Sequence, residues 1–274
     1  MKLGCSSWSY HQAIVSGRLS LTDWLGVCAG ELALDGVELL DLHFPSTDTA
    51  YLREIKRRCA ELHLSISCVS VSNDFGRPTA GERERELVRV KRWLDIAGFL
   101  GAPVLRVFAG WLPVPASGGG SSPRPWAPLR AAQKGVLWPE VVRCLGESAA
   151  YAQERGVILG LENHDGGGLV ATAAEVERAL GEVGSPWLRL CLDTGDYPDL
   201  ASIERTIGQA IHVHAKLYEL DERGVERRLD WPAIMAILRA ASYRGFLSIE
   251  YEGEEEAETA VPRGARYLRE LLRG

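Results

Sequence analysis

The sequence has no apolar run that would cross a bilayer. No uninterrupted apolar stretch approaches the roughly 18 residues that a membrane-spanning helix needs. The chain begins with Lys2-Leu3-Gly4-Cys5 and not with a charged region followed by an apolar one, as a secretory signal would. We therefore expect a cytoplasmic protein without a membrane partner.

Closely spaced cysteines are also missing. The six cysteines include no C-x-x-C pair and no other short-range cluster, and most lie within apolar runs. This distribution is typical of small buried residues in a reducing compartment and excludes a disulfide framework or a structural zinc motif. The six are Cys5, Cys28, Cys59, Cys68, Cys144 and Cys191.

Positive charge is in the minority: 31 Lys and Arg residues face 37 Asp and Glu residues, for a net charge of −6. The overall field repels nucleic acid, which is not an expected partner. With 274 residues, 46% of them hydrophobic, the chain can bury a large core in one barrel-sized domain or two smaller ones.

Strand-length apolar runs alternate with helix-length amphipathic stretches along the whole chain, which indicates βα units around a parallel sheet. We count eight such units and no interdomain linker. The number favours a closed (β/α)8 TIM barrel, an α/β fold formed as a single domain by residues 1–274, over an open doubly wound sheet. In a barrel the carboxyl ends of all strands converge on one mouth.

Four apolar runs end in a side chain that can bind a metal. Taken in chain order, these residues are Glu162, Asp193, His214 and Glu250. Three carboxylates and one imidazole suit manganese, magnesium or cobalt better than a thiolate-rich zinc site. Three of them also have a simpler interpretation: Asp193 as a turn residue, His214 as a core histidine, and Glu250 as the partner of an arginine such as Arg106.

One long irregular segment follows the fourth strand, at about residues 109–137. Segments of this length inside a domain are functional lids or disordered insertions. Trp111 and Trp126 favour a lid, whereas the tract Gly118–Ser122 favours partial disorder.

The motifs around these strand ends resemble those of the xylose-isomerase-like TIM barrel superfamily, in particular its sugar isomerase and epimerase branch with inosose dehydratases and ketose 3-epimerases. The motifs are Gly160–His164, Leu190–Gly195, His212–Lys216 and Leu247–Gly253. The resemblance implies that Glu162, Asp193, His214 and Glu250 bind a divalent cation, preferably Mn²⁺, with Mg²⁺ or Co²⁺ as substitutes.

Two departures from that family pattern concern the substrate. Ketose 3-epimerases have a further glutamate shortly after the strand-five ligand, where this chain has 165–168 as Asp-Gly-Gly-Gly, and histidine three residues beyond the strand-six ligand, where it has Asp196. A plain ketose 3-epimerase is therefore less expected. The superfamily's DNA-repair endonuclease needs more histidines at strand ends and fits the negative net charge poorly.

The expected chemistry is proton transfer beside a carbonyl. A metal that binds two vicinal oxygens of a sugar or keto-sugar polarises the carbonyl and stabilises an enediolate. Glu162 or Glu250 is the candidate base, and His164, or Lys216 with its pKa lowered near the metal, can return the proton or assist a leaving hydroxyl. Reprotonation gives isomerisation or epimerisation, and loss of a substituent gives elimination.

Candidate substrate contacts surround the predicted metal. They are aromatic residues that can stack on a sugar and polar residues that can bind hydroxyls: Trp8, Asn73, Arg106, Phe108, Trp111 and Tyr218. Trp8 and Phe108 could instead pack the barrel rim, and Arg106 could orient a carboxylate. The glutamates at 252–256 occupy the place where related barrels seat phosphate, which favours an unphosphorylated small-molecule sugar. The alternatives are a lyase acting on a keto-inositol or 3-keto-glycoside and a non-catalytic sugar-binding barrel, and a homo-oligomer is possible.

Overall fold

The computed structural model describes residues 1–112, 127–165 and 167–274, with only the backbone of 127–132. Eight parallel strands form a closed barrel in which each strand pairs with its neighbours in sequence, and β1 closes the ring against β8. The strands are β1 (Lys2–Ser6), β2 (Gly36–Leu40), β3 (Ser65–Ser70), β4 (Val104–Val107), β5 (Ile158–Glu162), β6 (Leu188–Asp193), β7 (Ala210–Leu217) and β8 (Phe246–Tyr251). The predicted TIM barrel is confirmed.

Helices surround the barrel in the described parts of the chain. They are α1 (His11–Val15), α2 (Leu21–Ala29), α3 (Thr49–Glu61), α4 (Ala80–Leu100), α5 (Ala127–Arg155), α6 (Ala173–Val183), α7 (Leu200–Thr206), α8 (Trp231–Ala240) and α9 (Ala257–Arg273). Short 3₁₀ helices cover Ser7–Tyr10, Asp41–His43 and Ile207–Gln209. Among the described residues, no helix combines the length and apolar composition that a bilayer crossing requires.

Strand burial explains why the apolar runs were continuous. All five residues of β2 are buried, as are the last four of β5, because the inner face of the barrel is filled by side chains and the outer face by helices. Side chains alternate between the two faces of a strand, so every second residue of β7 lies on the same face. His212, His214 and Lys216 therefore follow one another on one face, in the direction of the barrel mouth. The barrel interior therefore carries polar side chains from its middle up to its mouth.

Helix α5 begins at Ala127, within the segment 109–137 that was expected to be irregular, and Pro139 lies inside the helix. Contacts to α6 stabilise the additional turns: Lys134 forms an ion pair with Glu175, and Trp138 Nε1 donates to Glu182 at 2.7 Å. The predicted loop at 109–137 therefore ends earlier. Residues 113–126, with Trp126 and Gly118–Ser122, lie outside the described residues, and the lid stays a prediction.

Serine and threonine hydroxyls cap three of the helices. The N-cap of α2 is Ser20, whose hydroxyl accepts from Asp23 N–H. Helix α4 begins at Ala80 behind a capping box formed by Thr79 and Glu82, and α6 begins behind a second one formed by Thr172 and Glu175.

Candidate active site

The four predicted ligands meet at the carboxyl ends of β5 to β8. Ligand atoms of Glu162, Asp193, His214 and Glu250 all lie within 4.8 Å of one another, and all four residues are buried. Strand register accounts for this convergence, since Asp193 pairs directly with His214, and Glu250 with Lys216. The closed barrel then brings β5 to the same mouth.

His214 turns its two ring nitrogens in opposite directions. Its Nδ1 faces the carboxylates, at 3.1 Å from Glu162 Oε1, 3.5 Å from Glu250 Oε2 and 3.7 Å from Asp193 Oδ2. Its Nε2 lies 2.9 Å from Glu38 Oε1. Burial opposes the charged imidazole, but the surrounding acidic groups outweigh it and hold the pKa of His214 well above its ordinary value.

The donor set fits a divalent cation. Two buried carboxylate oxygens, Glu162 Oε2 and Asp193 Oδ2, accept no hydrogen bond from the part of the chain that the structure describes. Arg106 Nε lies 3.0 Å from the first and Lys216 Nζ 3.0 Å from the second, but neither pair has hydrogen-bonding geometry. Buried anionic oxygens without donors are costly unless a cation meets them, so these residues can hold a metal.

Glu38 and His212 were missed by sequence reasoning. Glu38 is fully buried on β2 and accepts from Ser70 Oγ at 2.5 Å, and its second oxygen lies 3.0 Å from His212 Nε2. Burial raises the pKa of Glu38, but His214 and His212 outweigh it and keep that pKa well below its usual value. The signal was present in the sequence: one carboxylate inside the apolar run of β2 needs a buried partner.

Lys216 sits above the ligands and is buried. Its Nζ lies 2.7 Å from Glu250 Oε2 and 3.1 Å from Glu252 Oε1, in addition to the contact with Asp193. Burial acts to lower the pKa of Lys216, but the neighbouring carboxylates outweigh it and raise that pKa well above its ordinary value. Without metal Lys216 is therefore protonated and can donate, and the pKa lowered beside a bound metal stays a prediction.

The surroundings shift the pKa values of the two candidate glutamate ligands, Glu162 and Glu250, in opposite directions. Burial raises the pKa of Glu250 in spite of its cationic neighbours. For Glu162, the charges of His214 and Arg106 outweigh burial and lower the pKa. Environments that separate the pKa values of paired carboxylates are typical of acid and base roles.

Two predicted substrate contacts instead support other residues. Asn73 is fully buried, and its amide accepts from Phe108 N–H at 2.9 Å and donates to Phe108 O at 2.8 Å. Arg106 is 4% exposed, forms the ion pair with Glu162 and donates to Val71 O at 3.1 Å. Asn73 thus fixes Phe108 and Arg106 orients Glu162, and their role as substrate contacts stays a prediction.

Phe108, Trp111 and His164 form an aromatic wall beside the ligands. The ring centroid of Phe108 lies 4.7 Å from that of Trp111 and 5.0 Å from that of His164. All three side chains are half-buried. The wall therefore presents ring surface at the mouth of the barrel, as sugar stacking requires.

His164 is hydrogen-bonded through one ring nitrogen. Its Nδ1 lies 2.9 Å from Asp165 O and 3.2 Å from Asp196 Oδ2, so Nδ1 carries the proton and Nε2 has the lone pair. Burial, followed by the charge of Asp193, raises the pKa of Asp196 to about 7. Asp196 was noted only as a departure from a family pattern, and the structure places it beside His164.

Trp8 and Tyr218 lie elsewhere on the rim. Trp8 Nε1 donates to Glu252 Oε1 at 2.9 Å, and its ring packs on His11 with centroids 4.4 Å apart. The guanidinium of Arg228 lies 4.0 Å from the centre of the Tyr218 ring. Both side chains are half-buried, so each has a partner in the protein and retains some accessible surface.

The family model described as "Xylose isomerase-like TIM barrel" matches residues 28–271. This chain belongs to that family. The match contains all four metal-ligand candidates together with Glu38 and Lys216, whereas β1, α1, most of α2 and the last three residues lie outside it.

Solved structures of sugar epimerases share the fold of this xylose isomerase-like barrel. D-psicose 3-epimerase from Clostridium cellulolyticum H10 is 16% identical with a TM-score of 0.78, covering 100% of this chain and 98% of that one. The 3-keto-D-glucoside 4-epimerase from E. coli is 19% identical with a TM-score of 0.73, covering 100% of both chains. At these identities the likeness shows the fold alone.

One characterised relative matches a short segment at higher identity. The C-glycoside deglycosidase alpha subunit from Arthrobacter globiformis is 46% identical over 50 residues, which amount to 18% of this chain and 14% of that protein. The match thus spans much less than two thirds of the relative.

Proposed function

We propose that this chain is a divalent-metal-dependent isomerase or epimerase of an unphosphorylated sugar or keto-sugar. The observation that supports it most is the cluster of Glu162, Asp193, His214 and Glu250, with ligand atoms within 4.8 Å and two carboxylate oxygens that have no hydrogen-bond donor among the described residues. When bound, the cation, Mn²⁺ by preference, supplies polarisation of the substrate carbonyl and stabilisation of the enediolate. The four residues would hold it.

The proton acceptor is one of the two glutamates, and Glu250 is the better candidate. Its raised pKa is closer to neutral pH than that of Glu162, which Arg106 and His214 hold ionised. A base whose pKa approaches the working pH transfers protons most effectively in both directions. Lys216, 2.7 Å from Glu250 Oε2, orients this carboxylate and carries a proton that it can donate to a substrate oxygen.

His164 acts from the aromatic wall. Because Nδ1 is held by Asp165 O and Asp196, Nε2 is the nitrogen that can accept a proton or a hydroxyl hydrogen bond. Phe108 and Trp111 flank it and provide the surface on which a sugar ring stacks. A sugar bound between this wall and Glu250 would have proton-transfer groups on two sides.

Deuterium exchange tests the activity. Protein loaded with Mn²⁺ is incubated in D₂O with D-psicose and, separately, with a 3-keto-D-glucoside, and the products are analysed by NMR. We expect deuterium at the carbon beside the carbonyl. Asp193→Asn should lose both bound Mn²⁺ and exchange, whereas Asp199→Asn, at the exposed N-cap of α7, should keep both. Metal-loaded protein that binds sugars without exchange would instead indicate a non-catalytic binding barrel.

A lyase is the second candidate. The segment 46% identical to a C-glycoside deglycosidase subunit favours it, and so does the absence of the additional epimerase glutamate at 165–168. The same abstraction of a proton leads to loss of a substituent when one lies β to the carbonyl. In the D₂O experiment, release of the aglycone from the 3-keto-glycoside would decide for this reaction over epimerisation.

A further inference from the structure

A chain of three side chains connects the loops that follow β1 and β2. Leu40 N–H donates to Ser7 Oγ at 3.0 Å, Ser7 Oγ lies 2.8 Å from His43 Nδ1, and His43 Nε2 lies 2.9 Å from His11 Nδ1. Ser7 and His43 are buried, and His11 is half-buried. These residues have no part in the proton transfers described above.

We assign the direction that gives the buried Ser7 hydroxyl hydrogen an acceptor; in the opposite direction Ser7 Oγ would accept from both Leu40 and His43, and its own hydrogen would have no acceptor among the described residues. Ser7 Oγ already accepts from Leu40, and His43 Nδ1 is the one acceptor within its reach in the described residues, so the Ser7 hydroxyl donates to that nitrogen. His43 is then protonated on Nε2 and donates to His11 Nδ1. His11 must in turn carry its proton on Nε2, where it is a hydrogen-bond donor of fixed orientation.

Both rings are neutral near pH 7, as this direction requires. Burial lowers the pKa of His11. Burial, followed by the charge of His11, lowers the pKa of His43 to about 4. Across the described residues, His11 Nε2 has no protein acceptor and is not among the buried unsatisfied atoms, so it is open to a ligand.

His11 lines a pocket of about 400 Å³ between α1 and the start of α9. Trp8 forms part of the same wall, and the bond from Trp8 Nε1 to Glu252 links this wall to the catalytic residues. Glu252 Oε1 is also 3.1 Å from Lys216 Nζ, which contacts the ligands Asp193 and Glu250. Lys216 therefore connects Glu252, which lines the pocket, to two of the proposed metal ligands.

The charges of the pocket select against anions. Five glutamates line it (Glu252, Glu254, Glu255, Glu256 and Glu258), against one arginine, Arg18. Arg18 is itself paired with Glu256 and Glu258, at 3.3 and 3.1 Å. A phosphate or carboxylate would be repelled, whereas an uncharged ring with hydroxyls can stack on Trp8 and accept from His11.

We propose that this pocket is a second sugar subsite, which binds the neutral, hydroxylated second unit of a two-unit substrate such as a glycoside. In it, an oxygen of that unit accepts the hydrogen bond from His11 Nε2, and its ring stacks on Trp8. The inference rests on the proposed function, because the first unit is the keto-sugar at the metal. It narrows the substrate class from free sugars to glycosides.

Binding of cellobiose and D-glucose to Mg²⁺-loaded protein tests the subsite without requiring turnover. We expect cellobiose to bind about tenfold more tightly than D-glucose, since one neutral hydrogen bond and one stacked ring are gained. His11→Phe and Trp8→Ala should each remove most of this preference, and His11→Phe should leave D-glucose binding unchanged. His11→Gln restores an N–H donor and should recover part of it.

Histidine-ring ¹⁵N NMR tests the direction of the chain independently. In the intact protein His11 and His43 should both be neutral and protonated on Nε2, and Ser7→Ala should abolish this pattern, whereas Ser16→Ala, in the neighbouring turn, should preserve it. Equal affinity for the two sugars, no binding of either, or a His11 ring protonated on Nδ1 would overturn the subsite. Failure of the proposed function would be seen differently, as absent deuterium exchange with the cellobiose preference intact.

Discussion

Nε2 of His214 is 2.9 Å from Glu38 Oε1, while Nδ1 of the same ring faces three carboxylates. An ionised carboxylate behind a histidine fixes the ring and its tautomer, and raises the basicity of the nitrogen that binds metal. Glu38→Gln should therefore weaken Mn²⁺ binding by about 10- to 100-fold. Isothermal titration of metal-free protein with Mn²⁺ measures this effect.

Two serines of β3 provide the controls for this prediction. Ser70 Oγ donates to Glu38 at 2.5 Å, whereas Ser67 Oγ donates to Val37 O at 3.0 Å. Ser70→Ala should weaken Mn²⁺ binding by a smaller factor than Glu38→Gln, and Ser67→Ala should not change it. Unaltered affinity in Glu38→Gln would mean that His214 is oriented by strand packing alone.

Removal of the Lys216 ammonium separates proton transfer from metal binding. Lys216→Met keeps the length of the side chain but removes the donor beside Glu250 and Asp193. Because an acid–base group typically accelerates the reaction by about 10²- to 10⁴-fold, kcat should fall by that factor. Mn²⁺ should stay bound, since loss of the ammonium leaves the candidate ligands with a more negative total charge. Metal content and activity are both measured, and Lys56→Met, at an exposed position of α3, serves as the control. Loss of the metal would assign Lys216 to the structure of the site.

The sequence predicted the ligand candidates because each one ends an apolar run, although β7 continues to Leu217 and β8 to Tyr251. In a parallel barrel such run ends lie near the mouth, so Glu162, Asp193, His214 and Glu250 were found without knowledge of side-chain packing. Glu38 follows no such rule. It lies in the middle of β2, and its partner His212 is 174 residues away.

Long-range electrostatics and backbone contacts also lay beyond the sequence. The raised pKa of Lys216 results from carboxylates on β6 and β8 and on the loop after β8. Asn73 was expected to bind substrate because it follows a strand, but the same position lets it pair with both backbone groups of Phe108. A position at a strand end therefore predicts proximity to the site, and the contacts of the side chain decide its role.

The low pKa of His43 predicts a pH dependence of stability. The value is about 4 in the folded protein against 6.5 ordinarily, so the unfolded chain takes up the proton first. The stability that neutral His43 contributes is complete above about pH 6.5 and is lost as the pH falls toward 4. It amounts to at most about 3 kcal/mol, from 1.36 kcal/mol per pKa unit.

His43→Phe isolates this contribution from other titrating groups. Urea unfolding at a series of pH values gives the difference in the free energy of unfolding between wild type and variant. The free energy of unfolding of the wild type, relative to that of the variant, should decrease progressively as the pH falls from 6.5 to 4. A difference that stays constant over this range would show that His43 titrates alike in the folded and unfolded states.

The loop that carries Trp111 depends on a glycine. Gly110 has φ of +102°, and a Cβ on it would lie 2.3 Å from Asp74 Oδ1, the atom that accepts from Trp111 N–H at 3.0 Å. Gly110→Ala must therefore bear an unfavourable φ and a displaced Asp74 together, and should lower the free energy of unfolding by at least about 2 kcal/mol.

Displacement of Trp111 should also weaken sugar binding, which separates this effect from simple destabilisation. Gly135→Ala is the matched control, because it lies within α5 and its added methyl group contacts nothing within 4 Å. It should raise the free energy of unfolding by about 0.5–1 kcal/mol through helix propensity. Chemical denaturation and sugar titration of both variants provide the test. If Gly110→Ala were as stable as the wild type, with unchanged sugar affinity, the loop would have another way to place its tryptophan.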